Sequence, residues 1–333
     1  MRFFILPIFL FMTSFLAAQP QEKKDVNEKI PFLQQAETFN KSRFWTVTGI
    51  GLATYTGTMI ALNQAWYADY EKSKFHLFDD RGEWEDMDKV GHFFSAYNES
   101  RVFYQGARWM GIKEKNAVWI GFGAGTILQA SIEVLDGFSE KWGFSIADIG
   151  ANTLGCAVFA GQQLLWQEQR FSVKVSSYRK PYSNQAILST NGEAFSDLRT
   201  HADNLFGSSI PAIFLKDYNA QTIWLSGNIH SFLGKKESKF PKWLNIAVGY
   251  GAQNVFGGYG NTWRVGDNSF RLDSELYPRY RQFYLSFDID MTRIKTKNAF
   301  LRTVLHLANM IKIPSPTLEW NTQGQLRFHP IYF

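Results

Sequence analysis

The sequence predicts an α+β protein, with an N-terminal bundle of about four helices followed by a β-rich C-terminal half. Two observations carry this. Between residues 41 and 168, long apolar stretches dotted with small residues recur at helical length; from 169 onward the apolar residues shift to a two-residue period. A third observation sets the context. The chain opens Met1-Arg2, runs apolar from Phe3 to Leu16 and then reads Ala17-Ala18-Gln19. A basic start, an apolar run shorter than the roughly 20 residues of a bilayer span, and small residues at its end predict a signal peptide over 1–18 and export to the envelope of a bacterium. No cysteine follows that run, so no lipid anchor is expected on a new N-terminus. The single cysteine, Cys156, lies between Gly155 and Ala157 and is expected to pack as a small apolar residue. A polar segment, 19–40, leads into the bundle.

Four stretches read as helices. Phe44 to Ala68 carries no charged residue. Asp88 to Met110 is amphipathic and contains Glu99, Arg101 and Arg108. Lys115 to Leu135 holds Gly121, Gly123, Ala124 and Gly125, and Ile146 to Gln167 holds Gly150, Gly155 and Gly161. Small residues on helix faces predict close backbone approach. The apolar stretches are long enough to span a bilayer and equally suit buried helices of a soluble bundle, because Thr, Gly and Gln dilute them.

A boundary is expected near Trp166 to Arg170, opening a region over 169–333. There Arg281 to Met291 alternates cleanly, with Phe283, Leu285, Phe287, Ile289 and Met291 on one face. Asn245 to Gly251, Thr222 to Ile229 and Phe171 to Tyr178 are weaker strands, and Lys180 to Ser209 reads as loops. The chain ends on a strand-like Gln325 to Phe333 with a terminal aromatic, as outer-membrane barrels do. Pro330 and the helical pattern of Asn298 to Ile313 oppose a complete barrel, which needs at least about eight strands where five or six are legible. A smaller sheet, or a partial or small barrel-like sheet, is the expectation.

Charge and composition narrow the partners. The 35 basic and 30 acidic residues leave a net +5 and are scattered, so no nucleic-acid stripe exists. A mild positive charge suits anionic lipid, and the 17% aromatic content suits membrane interfaces, small barrels and ordinary cores alike. Membrane lipid or another envelope protein is the expected partner, at the outer membrane or in the periplasm.

Three polar clusters sit in or beside the apolar helices. In Asp88-Lys89-Val90-Gly91-His92, Asp88 and His92 share a helix face; Glu133 and Asp136 do so three apart; Ser145, Asp148 and Asn152 follow in the third. Helix grammar explains part of this. Ser145 with Asp148 resembles a capping box, Asp136-Gly137 a helix end, and Lys89 a neutralising partner. It does not explain why His92, Glu133 and Asn152 stand in apolar stretches, where a buried charge needs a partner. If the clusters converge, three readings are open. One is a divalent-metal site drawn from His92, Glu133, Asp136 and Asp148, with Asp88 beside them. Another is acid–base chemistry by His92, Asp88 and Glu133 on lipid or cell-wall material. The third is a buried network of these residues with Lys89, Ser145 and Asn152 that only holds the helices in register. No Gly-x-Ser-x-Gly, Walker A or His-Glu-x-x-His motif is present. His76, His201, His230, His306 and His329 lack ligand spacing and are expected on surfaces or in loops.

Asp88-Lys89-x-x-His92-Phe93, Glu133-x-x-Asp136-Gly137 and Gly143-Phe144-Ser145-x-x-Asp148-x-x-x-Asn152-x-x-Gly155 resemble, in this order, the YfiM-like family of predicted periplasmic lipoproteins. A more distant likeness is to VanZ-like membrane proteins. Trp66 to Tyr70, Leu215 to Thr222 and Pro241 to Asn245 resemble the longer, Bacteroidetes-type version. The resemblance implies a cell-envelope location and supplies no reaction; a structural or scaffolding role is the leading expectation, and a metal-dependent or acid–base enzyme or binder acting on lipid or cell-wall material is the alternative. It directs attention to Asp88, Lys89, His92, Glu133, Asp136, Asp148 and Asn152.

Overall fold

The structure, a computed structural model, describes residues 31–64, 71–233 and 240–333. The expected signal peptide, the start of the polar segment and the Trp66 to Tyr70 stretch lie outside the described residues. Contacts divide the chain into two compact units. One comprises the chain up to Asp80, His92–Gln169 and Asn298–Thr303; the other comprises Arg81–Gly91, Arg170–Lys297 and Val304–Phe333.

The helical unit is built on α1 (Lys41–Leu62), α2 (Met87–Trp109, whose first turn belongs to the second unit), α3 (Glu114–Asp136) and α4 (Ile146–Trp166). Local chemistry sets their ends. The Asn40 side chain accepts from the Arg43 amide at the start of α1, and Ser145 accepts from the Asp148 amide at the start of α4. After α2 the chain turns at Gly111, with φ 85°, where a Cβ would stand 2.0 Å from the Thr38 carbonyl.

The small residues of α3 and α4 do what their pattern predicts. A Cβ at Gly155 would lie 2.4 Å from the Phe93 carbonyl, and one at Gly121 would lie 2.5 Å from the Ser100 carbonyl. The helices therefore pack almost backbone to backbone, around a core of Ala96, Tyr97, Val118, Cys156 and Phe159. Among the described helices only α3 is long and apolar enough to cross a membrane, and close to half of that stretch is buried inside the protein. α1 buries Arg43, Phe44 and Met59 and leaves Trp45, Ile50 and Ile60 exposed.

In the second unit β1 (Phe171–Ser177) leads to the hairpin β2 (Ala186–Leu188) and β3 (Phe195–Asp197), then α5 (Leu198–Phe206) and α6 (Ile210–Lys216). β4 (Gln221–Asn228), β5 (Leu244–Gln253), the hairpin β6 (Thr262–Val265) and β7 (Asn268–Arg271), β8 (Tyr280–Ile289), α7 (Ala299–Ala308), β9 (Ser315–Asn321) and β10 (Leu326–Tyr332) follow. Lys180 to Ser209, expected as loops, thus contains a hairpin and a helix. Its strands are three residues each, too short for a period to show. The helix expected over Asn298 to Ile313 is shorter, because Ile311 leaves it to form a parallel bridge with Val175 on the outer edge of β1.

Strands β1, β4, β5, β8, β9 and β10 form one antiparallel sheet in that order. It is an open sheet and not a closed barrel, although it curls: the Tyr332 hydroxyl of β10 lies 2.9 Å from the Thr222 hydroxyl of β4. Pro330 is accommodated by an irregularity between His329 and Tyr332 in this edge strand. The register aligns Val173, Leu225, Val248, Leu285, Leu318 and Phe328 in one cross-strand row. The neighbouring row on the other face is Ser172, Ser226, Ala247, Ser286, Thr317 and His329. The polar face is the buried one. Lys174 and Asp288 pair there at 2.6 Å, both fully buried, and the Lys312 ammonium donates to the Ile313 carbonyl and lies 4.9 Å from the Trp224 ring.

The helix contacts make a prediction by contrast. Gly155→Ala should destabilise the chain by about 1–3 kcal/mol through overpacking. Gly150→Ala, on the same helix with nothing within 4 Å of the added carbon, should be neutral or stabilising by up to about 1 kcal/mol. Thermal melts of the two variants followed by circular dichroism check the ordering.

Candidate functional site

The polar residues of the helical unit meet where three helices come closest. His92 stands in the second turn of α2, Glu133 in the last turn of α3, and Asp148 and Asn152 in the first two turns of α4. The start of α4 is held from outside: the Ser145 hydroxyl accepts from the Asp148 amide at 3.0 Å and donates to Asp80 Oδ1 at 2.7 Å. The 71–80 segment that brings Asp80 runs beside the α3–α4 connection, with backbone pairs Lys72–Ser139 and Leu77–Phe144. Gly137 and Gly143 are required there, since a Cβ would lie 2.4 Å from the Phe75 ring or 2.5 Å from Phe78 Cβ. Thus Gly137 ends α3 as expected, and it also makes room for an aromatic ring.

The imidazole of His92 is the centre of the site. Its Nδ1 lies 3.1 Å from Asn152 Oδ1 and 3.5 Å from Glu133 Oε1, and its Nε2 lies 3.7 Å from Asp148 Oδ1. An amide oxygen and a carboxylate both accept, so Nδ1 carries the proton and donates to Asn152. In the neutral ring the Nε2 lone pair is then left facing Asp148. The Glu133 and Asp148 side chains are 1% and 6% exposed against 17% for His92, so the ring is the face of the cluster nearest solvent. Asn152 is also buried, and its Nδ2 has no hydrogen-bond partner among the described residues.

The remaining expected residues are placed as follows. Asp88 is one turn before His92 on α2, in the stretch that belongs to the second unit. It accepts from Lys89 at 2.9 Å and from the Tyr218 hydroxyl at 2.9 Å. Lys89 thus acts as the neutralising neighbour of Asp88. Asp136 closes α3, three residues beyond Glu133, and its backbone carbonyl accepts from Ser139.

Sequence reasoning missed Asp80, which reads as one of two acids before a turn, and the pairing of Glu99 with Gln129. It also misplaced His201. That residue is buried in α5, bonded to the Phe256 carbonyl at 2.9 Å and stacked on Trp263 at 4.1 Å. An apolar neighbour from another strand, invisible in the local sequence, explains the error. Elsewhere in the second unit a cleft of about 440 Å³ is lined by Arg179, Lys180, Tyr182, Arg199, Asp203 and Asp217. Burial pushes Lys180 down to about 8, and the Tyr182 hydroxyl donates to the Asp217 carboxylate at 2.7 Å.

A second polar tier lies two turns along α2. Gln129 Nε2 donates to both oxygens of Glu99 at 2.9 Å. Burial pushes the Glu99 carboxyl up to about 7, against the opposing pull of that hydrogen bond and of His92. The folded state therefore holds this proton more tightly than the unfolded chain. Its contribution to stability is greatest below the ordinary carboxylate range and is lost as pH rises through about 7. Glu99→Gln, which keeps an acceptor for Gln129, should melt higher than the wild type at pH 8 and lose that advantage at pH 5.

No curated protein and no solved structure matches the chain. A family model described as "Predicted periplasmic lipoprotein (DUF2279)" matches residues 77–162, the segment that contains Asp80, His92, Glu133, Asp148 and Asn152, and its description makes this an exported protein of the cell envelope.

Proposed function

We propose that this envelope protein is a metal-dependent binding module whose helical unit takes one divalent cation at His92 and Asp148. The observation that carries the reading is the orientation of His92. Asn152 and Glu133 engage Nδ1, which leaves Nε2 directed at Asp148 from 3.7 Å. That separation is too long for a hydrogen bond and close to the about 3.4 Å that a tetrahedral zinc ion imposes on two of its ligands. Asn152 supplies the outer hydrogen bond that fixes the tautomer of a ligating histidine, with the Glu133 carboxylate beside the same nitrogen at 3.5 Å. Imidazole with carboxylates suits zinc or manganese over calcium, which prefers oxygen alone. The YfiM-like order of these residues supports an envelope role, with lipid or cell-wall material as the class of molecule that the bound ion would engage.

A scaffolding role is the second reading, and a specific observation favours it. The polar tiers continue away from His92, through Glu99 with Gln129 to Glu114, which accepts from Tyr104 at 2.8 Å and from Gln163 at 2.7 Å. Such tiers set the register of packed helices whether or not an ion binds.

Metal content separates the two. The full chain, dialysed against zinc and analysed by mass spectrometry, should retain about one ion, and His92→Ala and Asp148→Ala should each lose it while keeping helical circular dichroism. Asn152→Ala should weaken zinc by about 10–100-fold. Zinc-free wild type, with His92→Ala merely lowering stability by a few kcal/mol, would leave the scaffolding reading alone.

A further inference from the structure

We infer that the outer face of the C-terminal sheet is a lipid-binding surface, seated in the hydrocarbon of one leaflet of an anionic membrane. The inference is independent of the metal site and rests on the second unit alone. A water-soluble sheet buries its apolar face and wets its polar one. This sheet does the reverse. Its buried face carries the Lys174–Asp288 pair, Ser226, Gln282, Glu319 and Asn321, while Val248, Leu285, Phe287, Leu318, Trp320 and Phe328 on the other face are 40% to 67% exposed. The row Val173 to Phe328 and the row containing Val175, Ile223, Tyr250, Phe283 and Trp320 hold no charged residue over their length. Toward β1 the same rows are covered, with Val173, Val175 and Ile223 buried, so the exposed band runs from β4 to β10. Polar inside and apolar outside is the alternation of strands that face lipid.

The border of this face identifies the occupant. The strand ends at the start of β1, around the β4–β5 connection and after β8 carry Arg170, Lys242, Lys295 and Lys297, with Trp243 half-exposed among them. Among the described residues of this border, Asp290 is buried and already paired with Arg293 at 3.0 Å. A basic, aromatic rim beside an apolar band complements phosphate headgroups above hydrocarbon. The same rim would oppose itself in a face-to-face dimer of this chain. The part of α7 in this unit exposes Val304 and Leu307 on one face, as in helices that lie in an interface.

Depth follows from strand geometry. Phe283, Leu285 and Phe287 span four residues, about 14 Å at the rise of an extended strand. Spanning barrels show a band of about 25 Å, and one leaflet of hydrocarbon is about 15 Å thick. One leaflet is therefore the depth that the surface reaches.

The test uses the full chain with Cys156→Ala and one new cysteine, labelled with an environment-sensitive fluorophore, at Val248→Cys or, as a control in an exposed turn, at Asn191→Cys. Vesicles of phosphatidylcholine with phosphatidylglycerol carry nitroxide on their acyl chains. The Val248 probe should shift to the blue and be quenched by the lipid nitroxide, whereas the Asn191 probe should not. Leu285→Glu with Phe287→Glu should abolish the quenching without loss of sheet signal. Because the Val248 reading is taken without those two substitutions, it decides the matter even if they unfold the sheet. A Val248 probe quenched by aqueous iodide and not by lipid nitroxide overturns the inference. So does a lipid-free dimer that Phe287→Glu dissociates.

Discussion

The close approach of α2 to α3 and α4 is the constraint on which the helical unit depends. With no Cβ at Gly155 and Gly121, the α2 backbone at Phe93 and Ser100 comes within contact of its neighbours. His92 precedes Phe93, and Asn152 lies one turn before Gly155, so the contact that brings the helices together also brings imidazole to amide. Glu133 and Asp148 follow from the ends of α3 and the start of α4. The site is thus a by-product of packing in its position, and of capping in its orientation. Ser145 caps α4 and, through Asp80, ties that cap to a segment outside the helices. Burial then raises the stakes, because buried carboxylates must be matched by hydrogen bonds or positive charge.

Much of this was legible before any coordinates. The helices show themselves through runs of apolar and small residues, and the observed ends of α2, α3 and α4 fall within a residue of the sequence reading, with Ser145 marking the start of α4; the expected end of the first helix, Ala68, lies outside the described residues. β8 is legible from strict alternation over Arg281 to Met291. His92, Glu133, Asp148 and Asn152 stand out because a polar group in an apolar helix needs a reason. What stayed hidden depends on tertiary partners. Asp80 looks like turn chemistry until Ser145 is beside it. His201 looks like a surface residue until Trp263 stacks on it from another strand. The β2–β3 hairpin is too short to show a period.

Alternation in the C-terminal half predicts strands but does not say which face is wet. Phe283, Leu285 and Phe287 would conventionally point to a core. The structure turns them outward, because the polar groups are matched on the other face: Lys174 pairs with Asp288, Lys312 donates to the Ile313 carbonyl, and Glu319 is held by Gln282 and His329. Curling of the sheet encloses that polar face, and Tyr332 of the last strand reaches Thr222 and Tyr284 inside it. An enclosed hydrogen-bonded interior and an apolar exterior can coexist stably only where the exterior meets something other than water. A location in the cell envelope supplies that setting.

The central claim about the site is that His92 donates from Nδ1 to Asn152 and presents Nε2 to Asp148 as a zinc ligand. Long-range ¹H–¹⁵N correlation of the histidine side chains, with His92 assigned by its loss in His92→Gln, tests this directly. At neutral pH the account predicts a protonated Nδ1 and an unprotonated Nε2, whose ¹⁵N shift moves when zinc is added. A ring protonated on both nitrogens and indifferent to zinc would contradict it, and would mark His92 as a fixed cation between Glu133 and Asp148.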